Sequence, residues 1–161
     1  MIKAEHTFDL PVPPEEAFAR LSDPARDPEW QAACVATRLL DGPARAGGRY
    51  EITFQLIGKR MTFTVEISEY EPGLRSRFHV LDGPFHYVGT YAYTEHPDGT
   101  TGVHWTFDVD PGDYFGVMPQ SLVKKLLVSQ VKKDSGKLAA ELRGAAGSRS
   151  DSRLVSRKER S

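Results

Sequence analysis

Groups able to carry acid–base or nucleophilic chemistry are few in this sequence, and their spacing matches none of the common catalytic motifs. No Gly-x-Ser-x-Gly motif is present, and the single cysteine, Cys34, has no obvious histidine paired with it in sequence. The five histidines show neither His-Glu-x-x-His nor Cys/His zinc spacing; they are His6, His79, His86, His96 and His104. A glycine-rich phosphate loop is also absent. The sequence therefore predicts no metal, no cofactor and no nucleophilic catalysis.

Four cationic or titratable side chains, Arg49, Arg77, His79 and His86, fall within or beside predicted strands. Strict alternation places them on the solvent face when their aromatic neighbours face inward. A β-bulge would turn them inward. Arg77 could then hold a carboxylate or an enolate oxygen, and a histidine with a pKa near its ordinary value of about 6.5 could transfer protons. We expect the solvent-facing arrangement.

Aromatic residues recur at every second position of several segments, which is the pattern of strands with one apolar face. This alternation is typical of an ordinary core as well as of the wall of a ligand pocket. Taken as a set, these side chains predict a cavity lined by Tyr50, Phe54, Phe63, Phe78, Tyr87, Tyr91 and Trp105, with Met118, Leu122 and Leu126 opposite and Trp30 in a lid. The tyrosine hydroxyls would supply its hydrogen-bonding groups.

The elements that must position these residues follow a simple order. Residues 2–10 alternate as a first strand, and two short helices follow, the second containing Trp30. Six further strands are separated by turns rich in glycine, proline and aspartate, and the last strand includes Trp105. Apolar residues then recur every three or four positions from Leu122 to Leu142, which predicts one long amphipathic helix.

This order predicts an α+β domain of the helix-grip kind, in which a bent, seven-stranded antiparallel sheet closes around a long C-terminal helix. A helix of roughly 30 residues is about 40 Å long, whereas a typical strand is about 20 Å long, so the helix must cross the sheet obliquely. Its apolar stripe is too narrow to fill the whole concave face of the sheet. We therefore expect a gap between helix and sheet that forms the cavity.

Length and composition limit the number of domains and the kinds of partner that the chain can have. The 161 residues fit one domain over 1–143, and a Ser/Arg-rich segment with few apolar side chains, 144–161, is predicted to be a disordered tail. A formal net charge of −1 does not suggest nucleic acid as a partner. No apolar run approaches the roughly 20 residues that span a bilayer, and the N-terminus lacks a signal-peptide pattern. We expect a cytoplasmic protein without integral membrane association, monomeric or weakly dimeric.

Several turn and core motifs form a recognisable set. They are Asp27-Pro28-Glu29-Trp30, Gly47-Gly48-Arg49-Tyr50, Glu69-Tyr70-Glu71-Pro72-Gly73, Gly89-Thr90-Tyr91-Ala92-Tyr93-Thr94-Glu95, Asp98-Gly99-Thr100 with Val103-His104-Trp105-Thr106, and Gly136-Lys137-Leu138-Ala139-Ala140-Glu141-Leu142. Over residues 1–143 the chain resembles the SRPBCC superfamily, and within it the polyketide cyclase/dehydrase group of START-like domains. The resemblance implies a helix-grip cavity that binds lipids, hormones, polyketides or quinones.

Three functions fit these expectations. The first is a binder or carrier of a small hydrophobic molecule such as a lipid, a polyketide or a similar aromatic metabolite. The second is a polyketide cyclase, aromatase or dehydratase, in which the cavity folds a poly-ketone and Tyr87, Tyr91 or Tyr93 stabilises an enolate. The third is a co-chaperone-like interaction module that uses an exposed apolar patch. The sequence leaves open whether the protein is an enzyme, and an acid or base inside the cavity would favour the second function.

Overall fold

A computed structural model describes the backbone of residues 1–56 and 58–160 and the side chains of residues 1–56 and 58–145. Seven strands occur in this part of the chain: β1 (Ile2–Leu10), β2 (Cys34–Leu39), β3 (Arg49–Leu56), β4 (Lys59–Glu71), β5 (Arg75–Asp82), β6 (His86–Glu95) and β7 (Thr101–Asp110). The helices are α1 (Pro14–Leu21), α2 (Asp27–Trp30) and α3 (Gln120–Arg160), with a 3-10 turn at Pro24–Arg26. This order confirms the predicted helix-grip fold.

The strands form one antiparallel sheet in the order β1-β7-β6-β5-β4-β3-β2. Strands β2 to β7 run as a meander, and β1 joins the far edge by pairing with β7. The pairing shifts by a residue at two places between β4 and β5 and at one place between β2 and β3 near Cys34. Such bulges bend a strand and increase its twist. The sheet can therefore curve, and its concave face receives α3.

Helix α3 presents a narrow apolar stripe to the rest of the fold. Val123, Leu138 and Leu142 are buried on this stripe, and Leu127 and Val131 are half-buried between them. Their spacing of four or seven residues keeps them on one face of an α-helix. Val123 and Leu127, in the first half of the stripe, line the cavity described below.

The end of α3 differs from the prediction. The helix continues past Leu142, where the predicted amphipathic stretch ends, and reaches Arg160. The side chains of residues 146–160 and the whole of Ser161 lie outside the described residues. The disordered tail over 144–161 and the domain boundary at residue 143 therefore stay predictions. No helix in the described part of the chain combines the length and the apolar character needed to cross a membrane.

The buried apolar residues form two clusters that meet under the helix. One joins α1, α2 and the end of α3 to β1, β6 and β7, with Leu10, Leu21, Val103 and Leu138 almost fully buried. The other joins β3, β4 and β5 around Phe63 and Val65. Tyr70, Phe78, Phe107 and Leu127 pack against both clusters. Burying one such aliphatic or aromatic side chain stabilises the fold by about 1.5–3 kcal/mol.

Candidate ligand-binding cavity

A cavity of about 460 Å³ lies between the concave face of the sheet and α3. Alternate residues of each central strand form its wall, because successive side chains of a strand point to opposite faces of the sheet. The strand positions are Tyr50, Ile52, Phe54, Leu56, Lys59, Met61, Phe63, Ile67, Ser76, Phe78, Tyr87, Tyr91, Trp105, Phe107 and Val109. Helix α2, helix α3 and the 111–119 loop complete the enclosure.

Ten of the eleven residues predicted to bind a ligand line this cavity. They are Trp30, Tyr50, Phe54, Phe63, Phe78, Tyr87, Tyr91, Trp105, Met118 and Leu126. The prediction that Leu122 lines the cavity is wrong, since this side chain lies outside the lining. Helix α3 begins at Gln120, and its inward face in the first turn is occupied by Val123, so the preceding residue points about 100° away. Contact of the other ten with a ligand stays a prediction.

Aromatic rings support one another along the wall. Phe63 is at the centre, with ring centroids 6.0 Å from Phe54, 5.0 Å from Phe85 and 5.3 Å from Tyr87. All three contacts are edge-to-face, the arrangement that the charge distribution of aromatic rings favours. Such packing fixes the ring positions. The cavity is therefore bounded by ordered side chains.

The polar strand residues singled out in the sequence do not reach this space. Arg49 is exposed on the outer face, where Nε is 3.0 Å from Asp41 Oδ2; this contact raises the pKa of Arg49 and lowers that of Asp41. His79 Nε2 lies 3.8 Å from Glu66, and Arg77 and His86 are exposed. The pairing shifts in β4 and β5 leave Ser76, Phe78 and Val80 as the inward residues. The solvent-facing arrangement is the one observed.

An acid that the sequence analysis missed lies in the wall. Asp27 lines the cavity at the start of α2 and is only 6% exposed. Burial raises the pKa of its carboxyl well above the ordinary range, Asp23 adds to the rise, and the neighbouring Trp30 indole and Gln31 amide oppose it. Asp-Pro is a common helix-start signal and by itself gives no indication that the carboxyl is buried. In this four-residue helix the carboxyl faces inward.

A second buried acid faces the same region from α3. Asp134 lines the cavity, accepts a 3.0 Å hydrogen bond from Gln130 Nε2, and is also only 6% exposed. Burial is the main reason why its pKa is raised, against the opposing hydrogen bonds from Gln130 and the Ala32 backbone. The cavity therefore contains carboxyl groups on two elements. Among the described residues, no group of three histidine, cysteine or acidic side chains is placed to hold a metal ion.

Four buried tyrosines contribute hydroxyls near these acids. Burial raises the pKa of Tyr50, Tyr87 and Tyr91, and the nearby Asp27 carboxyl adds to each rise. Tyr93 differs because its hydroxyl lies 2.5 Å from Ser22 Oγ, which is itself 2.6 Å from Ser76 Oγ. Of the tyrosines proposed to stabilise an enolate, Tyr87 and Tyr91 line the cavity, whereas the Tyr93 hydroxyl is engaged by Ser22.

The thiol of Cys34, a candidate nucleophile by residue type, is in its unreactive, protonated form. Burial raises the pKa of the Cys34 thiol to about 12, with a further contribution from Asp27. A thiol with so high a pKa holds its proton at neutral pH, and the thiolate is the reactive form. The cavity can therefore enclose an apolar molecule and offer it hydroxyl and carboxyl groups, without a thiolate.

The fold is that of a known family, and a sequence comparison identifies it. The chain belongs to the family described as polyketide cyclase/dehydrase and lipid transport, which matches residues 1–146. No curated protein sequence matches the chain significantly. The family membership rests on the sequence match, and the solved structures below support the fold.

Three solved structures illustrate the likeness. A START superfamily protein from Mycobacterium smegmatis has a TM-score of 0.74 at 15% identity, covering 88% of this chain and 99% of that one. A protein from Thermus thermophilus has a TM-score of 0.72 at 20% identity, covering 89% and 98%. The di-domain ARO/CYC BexL from the BE-7585A biosynthetic pathway has a TM-score of 0.68 at 19% identity, with 89% of this chain and 47% of BexL covered. At these identities the likeness concerns the fold.

Proposed function

We propose that this protein binds a small, mainly apolar molecule in the cavity between its sheet and α3. The observation that carries the proposal is the cavity of about 460 Å³ with aromatic walls. This volume falls within the range of about 300–1,000 Å³ that is usual for ligand pockets. A space so large and apolar would be a costly defect in a core that had no other use for it.

The energetics favour an aromatic or lipid-like guest. Transfer of about 200 Å² of apolar ligand surface from water contributes roughly 5 kcal/mol, from which the cost of ordering the ligand must be subtracted. The rings of Phe63, Tyr87 and Phe107 offer flat surfaces for such a molecule, and Leu127 and Val131 on α3 face them. The family description, which names polyketide cyclases and lipid transport, is consistent with such a ligand.

The two tryptophans provide a direct readout of occupancy. Trp30 and Trp105 are the two tryptophans of the chain, and both line the cavity. Intrinsic fluorescence should therefore change in a saturable way when a neutral apolar probe such as N-phenyl-1-naphthylamine is added. Unchanged emission together with no enhancement of probe fluorescence would contradict the proposal.

A matched pair of variants separates the cavity from the surface. Ala33 lines the cavity, whereas Ala32 beside it is exposed. Ala33→Phe should fill part of the space and weaken probe binding at least tenfold, while Ala32→Phe should leave it unchanged. Equal affinities of the two variants would show that the probe binds elsewhere.

A second candidate function, polyketide cyclase or dehydratase, is favoured by the buried carboxyl of Asp27 in the wall. In an intramolecular aldol closure an enol carbon adds to a carbonyl carbon, and the enol proton passes to the new alkoxide oxygen. The resulting alcohol is then protonated and leaves as water, while the donor's conjugate base takes a proton from the α carbon and the C=C bond forms. A neutral Asp27 is suited to donate that proton. Heptane-2,6-dione closes in this way to 3-methylcyclohex-2-enone, whose ultraviolet absorbance reports the rate. Acceleration by the wild type that Asp27→Leu abolishes would support catalysis, and no acceleration would favour a carrier.

The cellular location, the oligomeric state and a co-chaperone-like role are further proposals. A cytoplasmic location and a monomeric or weakly dimeric state follow from the sequence arguments alone. A co-chaperone-like role would require a partner surface, and the cavity gives no support for it. Size-exclusion chromatography with light scattering tests the oligomeric state directly.

A further inference from the structure

The hydroxyls of three cavity tyrosines make no hydrogen bond with another described residue. Tyr50, Tyr87 and Tyr91 are each at most 4% exposed, and all three line the cavity. Tyr93 shows the contrasting case, because its hydroxyl is bonded to Ser22. Phenylalanine would supply the same ring at these three positions. Because these tyrosines line the cavity, their hydroxyls are free to hydrogen-bond with a molecule bound there.

Asp27 adds an acid to these hydroxyls. Its carboxyl lies close enough to Tyr50, Tyr87 and Tyr91 to influence all three, and the Trp30 ring packs against Tyr91 at 6.3 Å. Trp30 is itself 7% exposed, and its indole N–H lies near enough to the Asp27 carboxyl to oppose the rise in its pKa. Hydroxyl and carboxyl groups therefore gather at one part of an otherwise apolar wall.

We infer that Asp27, together with the hydroxyls of Tyr50, Tyr87 and Tyr91, forms a binding site for an uncharged oxygen of the ligand, either a carbonyl or a hydroxyl group. This inference rests on the proposed ligand-binding function and narrows the ligand to neutral oxygenated molecules, such as aromatic ketones and phenols. An ordinary hydrocarbon would leave the same groups without partners.

The charges around the site disfavour an anionic ligand. The described lining contains two acids, Asp27 and Asp134, and neither arginine nor histidine. Its one lysine, Lys59, lies at the start of β4 with Nζ 5.6 Å from the ring centre of Tyr114, whereas Asp27 lies beside Trp30. A carboxylate bound near Asp27 would therefore lose its hydration without a cation to balance its charge, and it would meet like charge whenever Asp27 ionised. Fatty acids and other carboxylates are expected to bind poorly at this end.

The protonation state of Asp27 decides whether it donates or accepts. A carboxyl kept neutral by an apolar site can donate a hydrogen bond to a carbonyl oxygen. The titratable groups near enough to Asp27 to interact with it are Asp23 before the 3-10 turn, Cys34 on β2, Tyr50 on β3, and Tyr87, Tyr91 and Tyr93 on β6. Asp134 on α3 lines the same cavity. Arg20 Nε lies 4.0 Å from a carboxylate oxygen of Glu29, and neither residue lines the cavity. The local environment thus favours the neutral acid.

Three naphthalenes with one skeleton test the inference. They are 2-acetylnaphthalene, a neutral ketone; 2-ethylnaphthalene, a hydrocarbon of similar shape; and 2-naphthoate, an anion. Equilibrium dialysis against the wild-type protein should show the ketone bound at least tenfold more tightly than the hydrocarbon, and the anion bound most weakly. The affinity for the ketone should fall as pH rises and Asp27 ionises, while that for the hydrocarbon should not.

Variants assign the preference to the named groups. Asp27→Leu should bring the affinity for the ketone down to that for the hydrocarbon, and Asp27→Asn should keep a donor and remove the pH dependence. If the leucine variant fails to fold, Tyr87→Phe and Tyr91→Phe, which keep the rings, should each weaken only ketone binding by several fold. Equal binding of ketone and hydrocarbon by the wild type would overturn the oxygen site alone. Failure of all three naphthalenes to bind would overturn the proposed function itself.

Discussion

The ring of Phe78 lies directly over Gly89, its cross-strand partner on β6. A Cβ atom placed on Gly89 would lie 2.3 Å from two atoms of this ring, well inside van der Waals contact. Gly89 occupies an inward position between Tyr87 and Tyr91, so the missing side chain makes room for the ring in the cavity wall. The glycine is therefore required by packing.

Gly89→Ala is expected to destabilise the protein, because the Phe78 ring must move against Tyr87 and Tyr91. Overpacking of this kind costs about 1–3 kcal/mol, which urea denaturation measures. Gly136→Ala is the matched control. This residue lies on the exposed face of α3 with nothing near the added methyl, and the change should stabilise by up to about 1 kcal/mol. A Gly89→Ala variant as stable as the wild type would contradict the packing described.

Asp27→Asn is expected to raise the free energy of unfolding at neutral pH. Below about pH 3.9 both the folded and the unfolded chain hold the Asp27 proton, so wild type and variant should differ little. Above it the unfolded chain loses this proton first, because burial raises the pKa in the folded chain. The wild type then loses up to about 1.4 kcal/mol per pH unit relative to the variant until the folded carboxyl ionises. Denaturation curves at about pH 4 and about pH 7 test this, and a difference independent of pH would refute it.

Trp105→Ala is expected to cost about 3–5 kcal/mol, the usual range for removing a large buried aromatic side chain. Trp105 is buried on β7, and its ring stacks on Phe107 with centroids 5.7 Å apart. Thermal or urea denaturation followed by circular dichroism gives the value without relying on tryptophan emission. A loss below about 1 kcal/mol would mean that the ring contributes little to the core.

Removal of residues 146–161 is expected to leave the melting temperature unchanged. In the described part of α3 the last buried side chains are Leu138, Ala139 and Leu142, and residues 143–145 are exposed. Differential scanning calorimetry of the shortened and full chains makes the comparison. A drop of several degrees would show that the C-terminal segment stabilises the domain.

The sequence predicted the apolar residues of the cavity wall better than the acidic groups in it. Period-two alternation placed Tyr50, Phe63 and Trp105 on the inner face because a strand leaves only two faces to choose from. On α3 the directions of adjacent side chains differ by only about 100°, so the pattern separates inward from outward residues less sharply than it does on a strand. The apolar pattern indicated Leu122 as a wall residue, whereas Val123 is the buried one. Helical periodicity alone does not fix which edge of an apolar stripe meets a cavity.

The Asp-Pro context of Asp27 did not predict that its carboxyl lines the cavity. Its Asp-Pro context is typical of a helix start at the surface, and its burial depends on residues that are distant in the chain, among them Tyr50, Tyr91 and Asp134. One sequence signal was available. Trp30 lies three residues later, and a carboxyl on the same short helix as a lid tryptophan faces the same direction.

A crystal structure of the protein grown with 2-acetylnaphthalene is the most direct test of ligand binding in the cavity. We expect the naphthalene rings to lie between the sheet and α3, in contact with Phe63 and Tyr87. The ketone oxygen should lie within about 3 Å of Asp27 or a neighbouring tyrosine hydroxyl. A ligand bound only on the outer surface, or a cavity closed by rearranged side chains, would contradict it.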